Sequence, residues 1–466
     1  MEHLTGQTPA TRSHLGPFDI TIGIVGHPTT PDVAWSDKQL QVLKDIGLNT
    51  LQLSIAWSWR PAGEVLNLEN LDDPALAGEW RRRAGQAERF GFRALAHFGL
   101  PMGPQTDATT CIMDPQVRDN YARRLSRFMH DFPSVNDVLI YTYDQLAWLC
   151  SEFGDCPRCH GVPLHERLTP FLEAMVDAIC AVRPAARLWW EPWELSAGQT
   201  YAVTERIRPN HFGLICHSTI AEVQFVNTTD LWFRNLARLA HMRGIPMIGE
   251  GFFGGSGEDV APLTHLPCPR LVHQQLNALH HAPGVVGIKE YYGFVPDHLS
   301  VNLRLLSGYL HAPDAPFDEL AGLAAEPYGA AVHEQLLQAW ELASQAIEFF
   351  PWDASWALRR IFELGPHVPY QSIPTASWMT PAWQSNRRGF YLVTDRNQQH
   401  PWLLEDVALR ARLASSRFAD SARLLQEASA KTVLPEDVQR QADQVHAAAQ
   451  TSLALAEGLF RQIGHG

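Results

Sequence analysis

Between residues 186 and 253 the chain reads ARLWWEPWE (186–194), FGLICHS (212–218) and IPMIGEGFF (245–253), with DLWFRNLARLAHMRG (230–244) before the last run. The three runs are almost continuously apolar up to a terminal polar residue, as parallel strands buried on both faces should be. Segment 230–244 has apolar residues at helical spacing and ends on Gly244, a residue suited to a left-handed helix cap. Working outward, the same unit recurs. Earlier runs are DITIGIVG (19–26), NTLQLSIAW (49–57), FRALAHFGL (92–100) and DVLIYTYD (137–144); a later one is GVVGIKEYY (284–292). Helical patterns stand between them at 37–47, 79–91, 117–132, 168–182 and 269–282, with Gly47 and Gly91 as further caps. Eight such units in about 280 residues predict a (β/α)8 TIM barrel of the α/β class over residues 18–300. A doubly wound sheet calls for G-x-G-x-x-G after its first strand, and GIVGHPTTPD (23–32) has none.

After residue 300 the pattern changes. Residues 317–347 predict a helix, 350–402 an aromatic-rich loop with Tyr370, Trp378, Trp383 and Tyr391, and 403–464 helix again. The expected division is an N-terminal tail (1–17), the barrel (18–300) and a mainly helical C-terminal domain (301–466). The aromatic loop folds over the barrel mouth, crosses to a second subunit, or packs the two domains together, and a homodimer is expected.

Composition narrows the function. With 45% hydrophobic and 19% charged residues, the chain is neither disordered nor fibrous. Lys plus Arg is 37 and Asp plus Glu is 50, a formal net charge of −13. An acidic chain without a basic block is a poor partner for nucleic acid or anionic membranes. No apolar run is long enough to span a bilayer. The opening MEHLTGQTPATRSHLGPFDI lacks a cationic start followed by an apolar core, and the seven cysteines are an odd number. Both point to a cytoplasmic, reducing setting. The 15 tryptophans suggest a cleft lined by flat apolar faces.

In such barrels the active site forms at the C-terminal strand ends. There stand His27 (strand 1), Trp57 (2), His97 (3), Tyr143 and Asp144 (4), Trp190, Glu191 and Glu194 (5), His217 (6), Glu250 (7), and Lys289, Glu290 and Tyr291 (8). Carboxylates and histidines among aromatics suit a sugar ring, whose C–H face packs on aromatics while its hydroxyls bond polar groups. Glycoside hydrolysis needs one carboxyl kept protonated and another kept ionised. Glu250, among glycines, is the expected nucleophile or base. Glu191, flanked by indoles that raise its pKa, is the expected acid, with Asp144 as competitor. The remaining rim residues are expected to bind substrate, with two reservations. Glu194 equally suits a helix cap, and only one of the neighbours Lys289 and Glu290 can face the barrel axis. A structural ion pair is the plain alternative for any single acid here. Glu152 is a further, second-rank candidate.

Cys150, Cys156 and Cys159 cluster in CSEFGDCPRCHG (150–161), and Cys111 lies in the preceding barrel loop. Adjacent loops can bring four thiolates together, the ligand set of a closed structural zinc site, with His160 as a possible substitute. Free thiols in an ordered loop are the alternative. No cofactor is expected for catalysis.

The strand alternation, the acids after strands 4, 5 and 7, and WSWRP (57–61) resemble the (β/α)8 glycoside hydrolases over roughly residues 18–300. The resemblance implies a glycosidase acting on oligosaccharides. The split cysteine cluster is similar to the zinc site of family 42 β-galactosidases. The barrel followed by helices is similar to family 67 α-glucuronidases, which implies dimerisation. Asp144-Gln145 departs from the Asn-Glu that the largest clan carries after strand 4, so the acid stays open between Glu191 and Asp144. The competing functions are a non-catalytic carbohydrate-binding barrel and a metal-dependent barrel hydrolase. The latter needs His-x-His after strand 1, where only His27 stands.

Overall fold

The computed structural model describes residues 17–25, 35–53, 68, 72–100, 111–142, 150, 152–192, 195–218, 228–254, 265–291, 293, 295–351 and 401–464. His27, Trp57, Tyr143, Asp144, Glu194 and residues 352–400 of the aromatic-rich segment lie outside them.

Eight strands form a closed barrel in sequence order, each parallel to its neighbours. They are β1 (Ile20–Gly23), β2 (Thr50–Leu53), β3 (Arg93–Phe98), β4 (Asp137–Tyr141), β5 (Leu188–Glu191), β6 (Phe212–His217), β7 (Met247–Gly251) and β8 (Val285–Glu290). Each falls inside an expected run. The ring helices are α1 (Asp37–Ile46), α2 (Pro74–Arg89), α3 (Pro115–Asp131), α4 (Leu164–Val182), α5 (Ala197–Arg206), α6 (Leu231–Met242), α7 (Pro269–His280) and α8 (Val301–His311). Ser36 opens α1 with a capping box completed by Gln39, and Gly47 closes it at φ 104°. Gly91 and Gly244 also take positive φ, as the helix-stop reading requires. The last ring helix, α8, packs against α7 and α1.

Side-chain alternation divides the strands into two cores. Leu53, Ala96, Ile140, Trp190 and Leu214 point outward and join the layer between sheet and helices. Ile22, Leu95, Leu139, Trp189, Ile215 and Ile248 form a separate cluster inside the barrel. Trp189 needs space there, and Gly213, its register partner on β6, supplies it: a Cβ at 213 would sit 2.4 Å from the indole.

The C-terminal region is helical, as expected, but segment 317–347 is not one helix. It divides into α9 (Phe317–Ala325), two short 3-10 turns, and α10 (His333–Phe349). Pro327 has no N–H to continue a ladder, and Gly329 takes φ 91°, which reverses the chain. Then α11 (Pro401–Ser429) and α12 (Pro435–Gln462) pack together and against α10. Several polar contacts tie the bundle to the barrel. Arg270 on α7 pairs with Glu341 and Glu348 on α10, each at 2.8 Å. The Tyr328 hydroxyl donates to the carbonyl of Leu299 or to Asp437, 2.8 and 2.7 Å away. Among the described residues no helix is long and apolar enough to cross a membrane.

The close fit of Trp189 on Gly213 gives a direct test. Gly213→Ala should destabilise the fold by about 1–3 kcal/mol through overpacking. Urea unfolding measures this, and an unchanged midpoint would show that the barrel interior is not packed in this way.

Candidate active site

Two residues further toward the C-terminal ends, on the same inward face, the residues turn polar: Gln52, His97, Glu191, His217, Glu250 and Lys289, with Tyr141 among them. Register places His217 beside Glu250, Glu250 beside Lys289, and Tyr141 beside Glu191. The strands that fill the barrel with aliphatics below therefore deliver ionisable groups above.

The centre is an ion cluster. Lys289 Nζ donates to Glu250 Oε1 and lies 3.9 Å from Glu191 Oε2. All three residues are buried: Glu250 is 0% exposed, Lys289 2% and Glu191 6%. Burial disfavours charge on both carboxyls, and the charge of Glu250 adds to the cost of ionising Glu191. Glu191 is pushed up to about 8, by burial first and then by the charge of Glu250. Burial also raises Glu250, while the Lys289 contact and the neighbouring Glu191 pull it back. Burial lowers Lys289, but the acids around it outweigh that and hold it charged. At neutral pH the arrangement favours an ionised Glu250 against the ammonium and a protonated Glu191.

His97 adds a donor. Gln52 Nε2 lies 3.1 Å from His97 Nδ1, and an amide nitrogen can only donate. Nδ1 is therefore the acceptor and Nε2 carries the hydrogen. Burial and nearby Lys289 push the imidazole down to about 3, so it is neutral. Among the described residues His97 Nε2, Gln52 Oε1, Glu191 Oε2 and Glu250 Oε2 are buried with no hydrogen-bond partner. Buried polar atoms are seldom left so, and a cluster of them at a barrel mouth suits a polar ligand.

Other expected site residues are placed differently. Trp190 does not face the barrel mouth: strand parity turns it outward, where it is fully buried against Phe212 in the sheet–helix layer. Glu290 faces away from Lys289. Its Oε2 accepts from the backbone N–H of Phe253 at 2.7 Å and of Gly254 at 3.0 Å, holding the turn after β7. Burial pushes its carboxyl up to about 8 as well. Tyr291 packs edge-on to Phe252 (centroids 4.9 Å) and also edge-on to His217 (6.1 Å), at the margin of the site. Glu152 pairs with Arg167 at 2.8 Å and is committed there. Gln52 was not expected; an amide in the otherwise apolar TLQL of β2 was the available signal. Cys111, Cys150, Cys156 and Cys159 do come together, and theirs is the one group of metal-ligand type found among the described residues.

No family model matches the chain, and no curated protein matches it. Among solved structures it is similar to an O-GlcNAc hydrolase mutant of Thermobaculum terrenum, at 12% identity and TM-score 0.44, covering 97% of this chain and 95% of that one. It is also similar to CpGH84D, at 9% identity and TM-score 0.41, covering 97% and 76%. A third is the β-glycosidase BGL167, at 13% identity and TM-score 0.38, covering 60% and 87%. These are likenesses of outline, and the chemistry below is argued from this chain's own side chains.

The cluster predicts a pH-dependent cost for losing its cation. Lys289→Met leaves two buried acids without a counter-charge. They can be protonated at pH 5, but at pH 8 the unfolded state releases those protons freely and the folded state does not. Stability should fall by about 3 kcal/mol at pH 8, the scale for breaking a buried pair, and by clearly less at pH 5. Chemical denaturation at both pH values checks this; equal losses would mean that the lysine is not the carboxylates' counter-ion.

Proposed function

We propose that the protein is a glycosidase that cleaves oligosaccharides with Glu191 and Glu250. The observation that carries this reading is the placement of two buried carboxyls around one ammonium, Glu250 in contact with Lys289 and Glu191 3.9 Å from it, in a polar layer that holds further unpartnered atoms. Acid and base are distinguished by environment, as glycoside hydrolysis requires. In the proposed reaction Glu191 gives its proton to the departing glycosidic oxygen as the bond to the anomeric carbon breaks. We propose the retaining course, in which the second carboxylate acts as the nucleophile. Glu250 accordingly attacks the anomeric carbon and forms a glycosyl ester. Glu191, now ionised, takes a proton from water, and that water's oxygen releases the sugar from Glu250. His97 Nε2–H and Gln52 Oε1 are proposed to bind sugar hydroxyls, with Tyr141 as a flat neighbour.

The setting we propose is cytoplasmic, which the seven unpaired cysteines support. We also propose a homodimer through the helical region, supported by Leu409 and Leu413 exposed one turn apart on α11 and Leu453 exposed on α12. Light scattering giving only a monomer mass would remove that element.

A panel of aryl glycosides tests the main reading. Turnover is expected for at least one sugar, with the anomeric configuration retained by NMR. Glu250→Gln and Glu191→Gln should each cost about 10²-fold or more in kcat/KM. Activity should fall as pH rises through about 8, where Glu191 loses its proton, and Glu191→Gln should abolish that alkaline limb. Sugar binding without turnover, unaffected by Glu250→Gln, would instead identify a carbohydrate-binding barrel.

A further inference from the structure

Away from the carboxylates, four cysteines from two consecutive barrel loops converge. Cys111 precedes α3, and Cys150, Cys156 and Cys159 lie between β4 and α4. Their four sulfurs all lie within 4.8 Å of one another. Cys111 Sγ is 3.4 Å from Cys159 Sγ and 3.8 Å from Cys156 Sγ. Sulfurs at ~2.3 Å from a tetrahedral zinc stand ~3.8 Å apart, whereas a disulfide needs ~2.05 Å. All four cysteines are unpaired.

The backbone around them is held by other contacts. Arg158, between two of the cysteines, pairs at 3.0 Å with Asp114, three residues after Cys111. Asp114 also caps α3, accepting from the N–H of Gln116 at 2.9 Å. From the other side, the buried Arg167 of α4 donates to the carbonyls of Cys150 and Val162 and to Glu152. Between Cys156 and Cys159 the chain makes a tight turn, with Cys159 N–H on the Cys156 carbonyl at 3.1 Å. His160 is not part of the cluster: its Nδ1 is bound to the carbonyl of Gly154 at 3.0 Å.

We propose that Cys111, Cys150, Cys156 and Cys159 hold one zinc ion as a closed four-thiolate site that fastens the loop after β3 to the loop after β4. Thiolates are soft ligands and disfavour magnesium, calcium or manganese. Four sulfurs complete a tetrahedron and leave no position for a reactive water, so the ion's role is structural. Binding converts the thiols to thiolates and releases their protons to solvent. The site goes beyond the glycosidase reading and does not depend on it.

The full chain, purified without chelator, should contain about one zinc per molecule by elemental analysis. Four of its seven thiols should resist an aromatic disulfide reagent until a chelator is added. Chelation should lower the melting temperature, and added zinc should restore it. Cys159→Ser should cut the zinc content by about tenfold or more; if that variant does not fold, the metal and thiol counts of the unaltered chain decide. The proposal is overturned by zinc far below one per chain, by iron in its place, or by an intact mass short of the hydrogens lost to disulfides. None of these readouts uses glycoside turnover, so they stand whichever way the hydrolase test falls.

Discussion

One lysine between two glutamates, inside a closed ring of strands, is the constraint around which the site is organised. Taking an ion out of water costs several kcal/mol even after the protein relaxes, so a buried layer tends toward neutrality. The inward polar layer contains two acids, the imidazoles of His97 and His217, the first kept neutral by burial, and a single ammonium in Lys289. One ammonium can balance one carboxylate. The other acid must then carry a proton, and contact geometry selects it: Lys289 touches Glu250 and stands 3.9 Å from Glu191. Which carboxyl bears the proton is thus a matter of charge balance as much as of either carboxyl's own surroundings.

The barrel makes this arrangement possible. Alternation along each strand gives one residue in two to the interior, and the lower interior positions are filled by Ile22, Leu95, Leu139, Trp189, Ile215 and Ile248. That plug keeps water from reaching the ion cluster from below and strengthens its electrostatics. The outer helices hold the strand ends through caps such as Ser36 and Gly47, and the C-terminal bundle braces α7 through Arg270. Polar chemistry at the mouth rests on an apolar layer inside the barrel and on an outer ring of helices, from which Trp232 packs on His217.

Strand positions were legible because parallel strands buried on both faces appear as unbroken apolar runs. The same property hid which face each residue takes. In LWWE both tryptophans are buried, and only parity with the inward Glu191 shows that Trp189 is inside and Trp190 outside. Parity likewise separates Lys289 from Glu290, as the alternation argument anticipated without saying which would face the axis. Gln52 stands inside its strand's run rather than at the run's polar end, so its place in the site shows only as an amide in a fully buried four-residue strand, which must find a partner. The helix expected over 317–347 failed at Pro327 and Gly329, where local backbone chemistry overrode the Ala and Leu periodicity. The four cysteines could be grouped from their loops alone, but whether their sulfurs met depended on Arg158, Asp114 and Arg167, none of which marks itself in sequence.

The two clusters bear on a shared mechanical problem. Strand residues such as His97 and Tyr141 are held by neighbours on both sides of the barrel sheet. The loops after β3 and β4 are joined by the Arg158–Asp114 pair, whose arginine side chain is half exposed. An exposed ion pair is worth ~1 kcal/mol or less and weakens with salt. Arg167 is better buried, but it anchors only the second of the two loops. A soft, tetrahedral cross-link would supply what these contacts do not: a joint between the two loops that neither salt nor side-chain rotation loosens. Held in this way, the loops leaving β3 and β4 would have few arrangements, on the side of the mouth where Tyr141 stands beside Glu191.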